Sequence, residues 1–404
     1  MSYRIERLGH HGDGIAEGPV FAPMTLPGEV VSGTLTGQRL SDIRILEPSD
    51  RRVSPPCRHF KTCGGCQLQH ADDDFVAAWK EDVVRTALAA HGLDAPFRPM
   101  AISSPSARRR ATLSARRTKK GAMAGFHSRA SDVIVEIPDC RLLHPDLMRA
   151  IPMAEALAQH AASRKGALDV AVCLSRGGLD VNVAGGRNLD GPLRIVLAQL
   201  AEAHDLARLA WQGEVIATRR QPVQRFGNAD VVPPPGAFLQ ATAEGEAALL
   251  ADVAEAIAGA SRIVDLFAGC GTFALPLSAN AQVHAVEGDA AMIAALEAAW
   301  RKADGLKQLT GEARDLFRRP MLPEELKRCD GAVIDPPRAG AEAQVAQLIA
   351  AAIPRVAYVS CNPVTFARDA AALVQGGYAL RGLRVIDQFR WSSHVELCAD
   401  FALI

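Results

Sequence analysis

The chain has 404 residues, of which 49% are hydrophobic and 22% charged, and 45 basic side chains balance 45 acidic ones. This length predicts two or three domains, and the composition is typical of a soluble globular protein. The neutral balance excludes a protein that attracts nucleic acid through its net charge, so such binding would need a local basic surface. No apolar stretch is long enough to span a bilayer, and the amino-terminal MSYRIERLGH is too charged for a signal peptide. We therefore expect a cytoplasmic protein that does not contact membranes.

Short β-type runs separated by Gly and Pro occupy residues 3 to 50, as in EGPVFAPMTLPGEVVSGTL. Such spacing predicts a small barrel of short strands. The Pro-rich, basic RRVSPPC at residues 51 to 57 predicts a linker, which limits the first domain to residues 1–52.

A helix is predicted over residues 75 to 92, where apolar residues recur at helical spacing and a Gly stands at the expected end. Residues 96 to 235 mix β-like stretches such as DVIVEIPDC with basic clusters, and they end in the helix-breaking VVPPPG. We expect a central α+β domain over residues 53–235. Its helix at residues 75 to 92 is a candidate to pack on the domain that follows.

Strands and helices alternate after residue 235. A helix at residues 244 to 259 precedes strands at RIVDLFAG, QVHAVEGD, GAVIDPP and RVAYVSC, with helices between them. This alternation predicts an α/β fold with a parallel, Rossmann-like sheet over residues 236–404. In such sheets the ligand lies beyond the carboxyl ends of the strands.

The segment DLFAGCGTF, residues 265 to 273, ends one of these strands and opens a helix. Gly269 and Gly271 let the backbone approach a ligand closely, and Glu287 closes the next strand, where a carboxylate suits ribose hydroxyls. The glycine spacing is not GxGxxG and no nicotinamide-type partner is visible, so S-adenosylmethionine fits better than a dinucleotide. A merely tight strand-to-helix connection is the competing interpretation.

Three further segments, IDPPRAG, VSCNP and HVE, stand where strand ends should converge. Carbon 5 of uracil is a poor nucleophile, but a thiolate that adds to carbon 6 raises its electron density enough to attack a sulfonium methyl. Cys361 is the candidate nucleophile, and Glu396 is the candidate base for the carbon-5 proton. A small buried cysteine is the competing interpretation of Cys361. His394 receives no role.

Taken together, DLFAGCGTF, IDPPR, VSCNP and HVE resemble the RNA uracil-C5 methyltransferase family, over nearly the whole chain. The resemblance implies that Cys361 is the nucleophile and Glu396 the proton acceptor. It also implies that a further set of residues contacts the cofactor or the site, namely Gln240, Phe267, Gly269, Gly271, Thr272, Glu287, Asp315 and Asp335. Thr272 and Thr242 stand where many members carry Asn, and FRWSSHVE departs from the usual Phe-Pro-containing sequence before HVE.

Cys57, Cys63 and Cys66 form a C-x5-C-x2-C run, and Cys140 in IPDC is the natural distant fourth ligand. Four thiolates predict a metal site, but spacing does not separate zinc from an iron–sulfur cluster. CGGC followed by QLQH resembles the ribosomal-RNA branch of the family, which implies a 4Fe-4S cluster. The same branch implies that the amino-terminal barrel is a TRAM domain, an OB-like barrel used on RNA, with LPGEVV as its best match. It also implies 23S ribosomal RNA as the substrate.

The segment SARRRATLSARRTKK, residues 106 to 120, supplies a local basic surface for which RNA phosphates are the expected partners. A solvated, charged pair of strands is the competing interpretation. Three other functions stay open: a transfer-RNA uracil-C5 methyltransferase, an RNA cytosine-C5 methyltransferase, and a non-catalytic RNA-binding protein. We expect a monomer.

Overall fold

The computed structural model describes residues 1–163 and 166–404. Residues 2–47 form a closed barrel with the strand order β1-β2-β3-β5-β4. It closes around buried apolar side chains such as Ile5, Val31 and Leu40. Gly14 leaves room for the turn at Thr25, because a Cβ there would lie 2.1 Å from the threonine Oγ1. The predicted barrel of short strands is confirmed, with strands Ser2–Leu8 (β1), Gly14–Ala16 (β2), Val20–Ala22 (β3), Val30–Thr36 (β4) and Arg39–Glu47 (β5).

Helix α1 (Asp73–Ala89) follows the cysteine run and begins where Asp72 accepts a hydrogen bond from the Phe75 N–H at 2.7 Å. Its apolar face does not pack on the barrel alone. Val84 and Leu88 belong to the same hydrophobic core as the carboxy-terminal sheet. The helix is therefore part of the structure that supports that sheet.

A seven-stranded sheet, in the order β13-β12-β11-β10-β7-β8-β9, forms the centre of the described residues. Helices Ala150–Ala161 (α2) and Gly191–Ala203 (α3) pack against it, where Leu157 and Leu197 join a core with Val170 and Val181. A 3-10 helix covers Pro145–Arg149. The strands from β6 onward are Ala101–Ile102 (β6), Arg110–Thr118 (β7), Gly121–His127 (β8), Ile134–Glu136 (β9), Ala167–Ser175 (β10), Gly178–Gly185 (β11), Arg208–Trp211 (β12), Glu214–Thr218 (β13), Gln224–Phe226 (β14) and Ala229–Val231 (β15).

The carboxy-terminal residues build the predicted alternation of strands and helices. The helices are Ala243–Ala256 (α4), Ala274–Leu277 (α5), Ala290–Trp300 (α6), Pro323–Leu326 (α7), Glu342–Ala350 (α8) and Pro363–Gln375 (α9). The strands are Arg262–Leu266 (β16), Gln282–Glu287 (β17), Leu309–Ala313 (β18), Gly331–Ile334 (β19), Arg355–Ser360 (β20), Tyr378–Asp387 (β21) and Leu397–Leu403 (β22).

These strands order as β18-β17-β16-β19-β20-β22-β21-β6. The pairs from β18 to β20 are parallel, as predicted, whereas β22 runs antiparallel to both β20 and β21. From β16 the chain adds β17 and β18 on one side, and then β19 and β20 on the other side. Ligands bind in open α/β sheets at such a change in strand order. Strand β6, from the predicted central segment, pairs with β21 and so joins this sheet.

Within the described residues, no helix has both the length and the apolar character that crossing a membrane requires.

Candidate active site

A cavity of about 570 Å³ opens beyond the carboxyl ends of β16, β17, β19 and β20. This volume falls within the range of ordinary small-molecule sites. Eight of the predicted site residues line it, namely Gln240, Phe267, Gly269, Thr272, Glu287, Asp335, Cys361 and Glu396. The segments that the sequence singled out therefore meet in one pocket.

The glycine turn after β16 forms one wall of this cavity. Phe267, Gly269 and Gly271 adopt left-handed φ angles of 63°, 55° and 96°, which allow a sharp strand-to-helix turn. The Glu287 carboxylate accepts a hydrogen bond from the Gly269 N–H at 3.0 Å. This carboxylate, predicted for ribose hydroxyls, thus also fixes the turn.

Gly271 and Asp315 do not line the cavity. A Cβ on Gly271 would lie 2.8 Å from Leu275 Cδ1, so this glycine allows the turn to pack. Asp315 follows β18, and its carboxylate accepts a hydrogen bond from the Phe317 N–H at 3.0 Å. The Phe317 ring lies 5.4 Å from the ring of Phe267, which lines the cavity.

Three carboxyl groups stand at the base of the site, and two of them, Asp265 and Glu396, are buried. Burial and the neighbouring Asp335 carboxyl raise the pKa of Asp265 well above its usual range. Burial and Glu287 raise the pKa of Asp335 to about 7. Burial, again with Asp335, raises the pKa of Glu396 to about 8. A cavity with such carboxyls suits a positively charged ligand, because a cation would offset their mutual repulsion.

Cys361 stands between the end of β20 and the start of α9, where Asn362 caps the helix. Burial, together with Glu396 and Asp335, raises the pKa of the Cys361 thiol to about 11, while Arg338 acts in the opposite direction. The positive end of α9 and the Arg338 guanidinium are the features that favour the thiolate. The thiol is half-buried and lies at the cavity wall, not sealed in the core.

A second, larger cavity of about 1060 Å³ adjoins the first. Cys361, Arg338 and His394 line both cavities. The far walls of the larger one come from the barrel, including Arg7 and the two histidines at 10 and 11, and from helix α1. The thiol therefore faces a cofactor-sized pocket on one side and a long open groove on the other.

Four cysteines, three from one run and a fourth distant in sequence, line another small cavity, together with apolar side chains such as Phe60 and Phe126. They are the predicted metal ligands Cys57, Cys63, Cys66 and Cys140. Within residues 1–163 and 166–404, however, no group of three or more His, Cys, Asp or Glu side chains is arranged to hold a metal ion. The structure thus brings the four cysteines together without showing a metal site.

The basic run at residues 106 to 120 divides into two parts. Arg109 pairs with Glu246, and the Arg110 guanidinium lies 4.2 Å from the Phe238 ring centre, beside the cavity. By contrast, Arg116 to Lys120 are exposed around the turn between β7 and β8. Only the second part forms the open basic surface that the sequence predicts.

Sequence reasoning missed several residues of the site. Asp265 is the first residue of the DLFAGCGTF motif, so the sequence could have identified it. Arg108 and Phe389 line the cavity, but the basic run and the FRWSSHVE segment that contain them gave neither residue a role in the site. Gln388 is buried beside Glu396 and donates to its carboxylate at 3.1 Å. Thr242, in contrast, caps α4 by accepting from the Gly245 N–H at 2.9 Å.

Comparison with known proteins shows the family to which this chain is related. The model of the tRNA (Uracil-5-)-methyltransferase family matches residues 233–400. An uncharacterised RNA methyltransferase of Mesorhizobium japonicum is 44% identical over 400 residues, which cover 98% of this chain and 97% of that protein. The 23S rRNA (uracil(1939)-C(5))-methyltransferase of Halomonas elongata is 34% identical and is matched over 97% of this chain and 87% of its own length.

Among solved structures, the Pyrococcus abyssi tRNA (uracil-54, C5)-methyltransferase in complex with S-adenosyl-L-homocysteine has a TM-score of 0.78. At 22% sequence identity, with 100% of this chain and 99% of that chain covered, this comparison shows a common fold. The two relatives above are also similar in sequence over nearly the whole chain. The chain therefore belongs to the RNA uracil-5 methyltransferase family.

Proposed function

We propose that this RNA methyltransferase methylates carbon 5 of a uracil in 23S ribosomal RNA, with S-adenosylmethionine as the methyl donor. The observation that carries the proposal is that Cys361 and Glu396 line one cavity with the glycine turn. The Halomonas relative, whose name states this reaction, matches nearly the whole chain. It is the reason for proposing 23S ribosomal RNA ahead of transfer RNA.

Cys361 begins the reaction. Its thiolate forms a bond to carbon 6 of the uracil, and the electron pair of the carbon 5–carbon 6 double bond moves toward the carbonyl oxygen at carbon 4. S-adenosylmethionine supplies a methyl group on a positively charged sulfur, which carbon 5 attacks so that the sulfur leaves as a neutral thioether. The Arg338 guanidinium and the start of α9 favour the thiolate that this sequence needs.

Glu396 ends the reaction. Its carboxylate takes the proton from carbon 5, and the electron pair of that carbon–hydrogen bond restores the double bond while Cys361 leaves as a thiolate. The carboxyl is buried and its pKa is raised to about 8, so it binds a proton readily once ionised. Gln240, Phe267, Glu287 and Asp335, which line the cavity, would hold the methyl donor.

The RNA would reach Cys361 through the larger groove, which continues the cavity toward the barrel and α1. Arg7, His10 and His11 on the barrel side can contact phosphates or bases there. This use of the barrel supports its assignment as a TRAM domain over residues 1–52. The limits 53–235 and 236–404 remain our proposals for the other two domains.

We also propose that Cys57, Cys63, Cys66 and Cys140 ligate a 4Fe-4S cluster. The ligand type suits such a cluster, because iron–sulfur clusters are held by cysteine thiolates and these four cysteines line one cavity with apolar side chains. When bound, the cluster would crosslink the segment around Cys63 to Cys140. Arg129 braces the same segment by donating to the Cys66 carbonyl oxygen at 2.5 Å.

The test is Cys361→Ala with Cys329→Ala as the matched control, since Cys329 is also half-buried but lines neither cavity. Purified variants are incubated with S-adenosylmethionine and either unmodified 23S ribosomal RNA or unmodified transfer RNA, and product nucleosides are identified by mass spectrometry. We expect 5-methyluridine in 23S ribosomal RNA, at least about 1,000-fold less of it with Cys361→Ala, and no loss with the control.

RNA containing 5-fluorouridine should also form a stable covalent adduct with the unmodified enzyme, because fluorine cannot leave carbon 5 as a proton. Product in transfer RNA alone would reassign the substrate, and 5-methylcytidine would reassign the base. Full activity of Cys361→Ala would remove the mechanism.

A further inference from the structure

A single buried carboxamide joins the two halves of the proposed active site. Gln388 directly follows β21 and its side chain is 1% exposed. Its Oε1 accepts a hydrogen bond from the Ala241 N–H at 2.7 Å. Its Nε2 donates to Gln240 Oε1 at 2.6 Å and to Glu396 Oε2 at 3.1 Å. One side chain therefore contacts both a predicted cofactor residue and the predicted base.

The donors and acceptors around Gln388 allow its carboxamide only one orientation. The backbone N–H of Ala241 can only donate, so the atom of Gln388 that it meets must be the oxygen. The other end of the amide is then the NH2 group, whose two N–H bonds meet Gln240 and Glu396. The Gln240 oxygen is thereby occupied, which leaves the Gln240 NH2 group to donate to a ligand in the cavity it lines.

The neighbouring structure is built to hold this amide. A Cβ on Gly245, in the first turn of α4, would lie 2.6 Å from Gln388 Cβ, so the glycine makes room for the side chain. The Ile386 N–H donates to the Glu396 carbonyl oxygen at 2.8 Å and closes the base of the loop between them. The carboxamide and the carboxylate thus face each other across a loop whose ends are fixed.

We propose that Gln388 is the positioning residue of the base: its carboxamide holds the Glu396 carboxylate in place and ionised. The inference rests on the proposed function, because it assigns a partner to the residue that removes the carbon-5 proton. It adds a residue that acts through Glu396 without touching the substrate.

Charged groups around Glu396 explain why such a partner is needed. Asp335, at the end of β19, and Cys361, at the end of β20, both oppose a negative charge on Glu396, and burial opposes it further. Arg110 on β7 favours the charge, as does the hydrogen bond from Gln388. Gln388 is the neutral donor in direct contact with the carboxylate, so its removal leaves the ionised form less stabilised.

The test replaces Gln388 with methionine, which has nearly the same shape and no N–H group. With ordinary uridine RNA, we expect turnover to fall by about tenfold or more, its pH profile to move toward higher pH, and a covalent protein–RNA adduct to accumulate on denaturing gels. With 5-fluorouridine RNA, where no proton is removed, the variant should form its adduct at nearly the rate of the unmodified enzyme. In a Glu396→Gln background, adding Gln388→Met should change the rate little.

The matched control is Gln344→Met. Gln344 is also 1% exposed and bonds the backbone of Met321, accepting from its N–H at 2.8 Å, but it lines neither cavity. It should lose stability without changing the pH profile or accumulating adduct. Equal slowing of Gln388→Met with both RNAs, or an unchanged pH profile, would overturn the inference. Failure of the unmodified enzyme to form the 5-fluorouridine adduct would instead overturn the proposed function and this inference with it.

Discussion

Asp265 is the most enclosed carboxyl group of the site, with no exposed surface. Burial and Asp335 raise its pKa well above its usual range, whereas in the unfolded chain it titrates near 4. The folded protein therefore binds this proton more tightly than the unfolded chain. Stability from this group is fully present below about pH 4 and is lost as the pH rises through the raised pKa.

The prediction is that Asp265→Asn, which cannot ionise, removes part of this loss. Between pH 5 and pH 8 the melting temperature of the variant should fall less than that of the unmodified protein, by at least about 3 °C. Asp330→Asn is the contrast, because backbone and side-chain hydrogen bonds lower the Asp330 pKa despite some burial. It should destabilise the protein most at pH 8. An equal fall in melting temperature between pH 5 and pH 8 for Asp265→Asn and the unmodified protein would contradict the prediction.

At this scale the sequence identified the proposed reacting groups, which line one cavity, but it did not identify the residues that contact them. Cys361 and Glu396 belong to short motifs at strand ends, and such ends converge in a parallel sheet. Gln388 and Asp265 act through burial and through partners far along the chain, 148 residues for the bond between Gln388 and Gln240. No local pattern identifies those distant partners. Asp315 was implied by the family resemblance alone, and it does not line the cavity.

At the scale of elements, alternation of strands and helices predicted the parallel sheet, but it did not predict how the sheet ends. Strands β21 and β22 are antiparallel, and β6 is recruited from about 280 residues earlier in the chain. A two-residue strand has no periodicity to detect. The buried ion pair between Lys80 in α1 and Asp387 in β21, at 2.7 Å, likewise joins elements that are separate in sequence.

The cysteine segment also contacts the loop before Glu396. The backbone N–H groups of Gln67 and Leu68 both donate to the Trp391 carbonyl oxygen, at 2.8 and 3.0 Å. The Trp391 side chain shares a buried cluster with Cys66. The loop before Glu396 therefore packs on Cys66 and on the two residues that directly follow it.

We predict that Cys63→Ala, prepared without oxygen, loses iron and brown colour relative to the unmodified protein. Because the segment then loses a ligand, amide hydrogens of residues 389–396 should exchange faster. Cys173→Ala is the control, since that cysteine lies in β10 and not in the four-cysteine cavity. Iron is measured by elemental analysis and exchange by mass spectrometry. Zinc without iron in the unmodified protein would refute the cluster, and unchanged exchange would refute the link to the loop.

For the whole molecule, the neutral charge balance conceals an uneven surface. The turn between β7 and β8 exposes Arg116, Arg117, Lys119 and Lys120. The arginines just before it turn inward, where Arg109 pairs with Glu246. Composition predicted that any RNA-binding surface must be local. The fold is needed to tell which basic side chains are exposed and which are already paired with a carboxylate.

If this turn meets RNA phosphates, its charges must appear in the salt dependence of binding, because each contacted phosphate releases counterions. Lys119→Gln/Lys120→Gln should weaken binding of 23S ribosomal RNA at low salt and reduce the slope of log affinity against log salt by about 1.4, at about 0.7 for each charge on single-stranded RNA. The control is Arg301→Gln/Lys302→Gln, which removes two exposed cations at the end of α6. Helix α6 packs against β18, an edge strand of the eight-stranded sheet, so this variant should leave the slope unchanged. Affinities across a potassium chloride series give both slopes. Equal slopes for the two variants would mean that the turn is a solvated charged surface, and that RNA is held by the groove beside Cys361 alone.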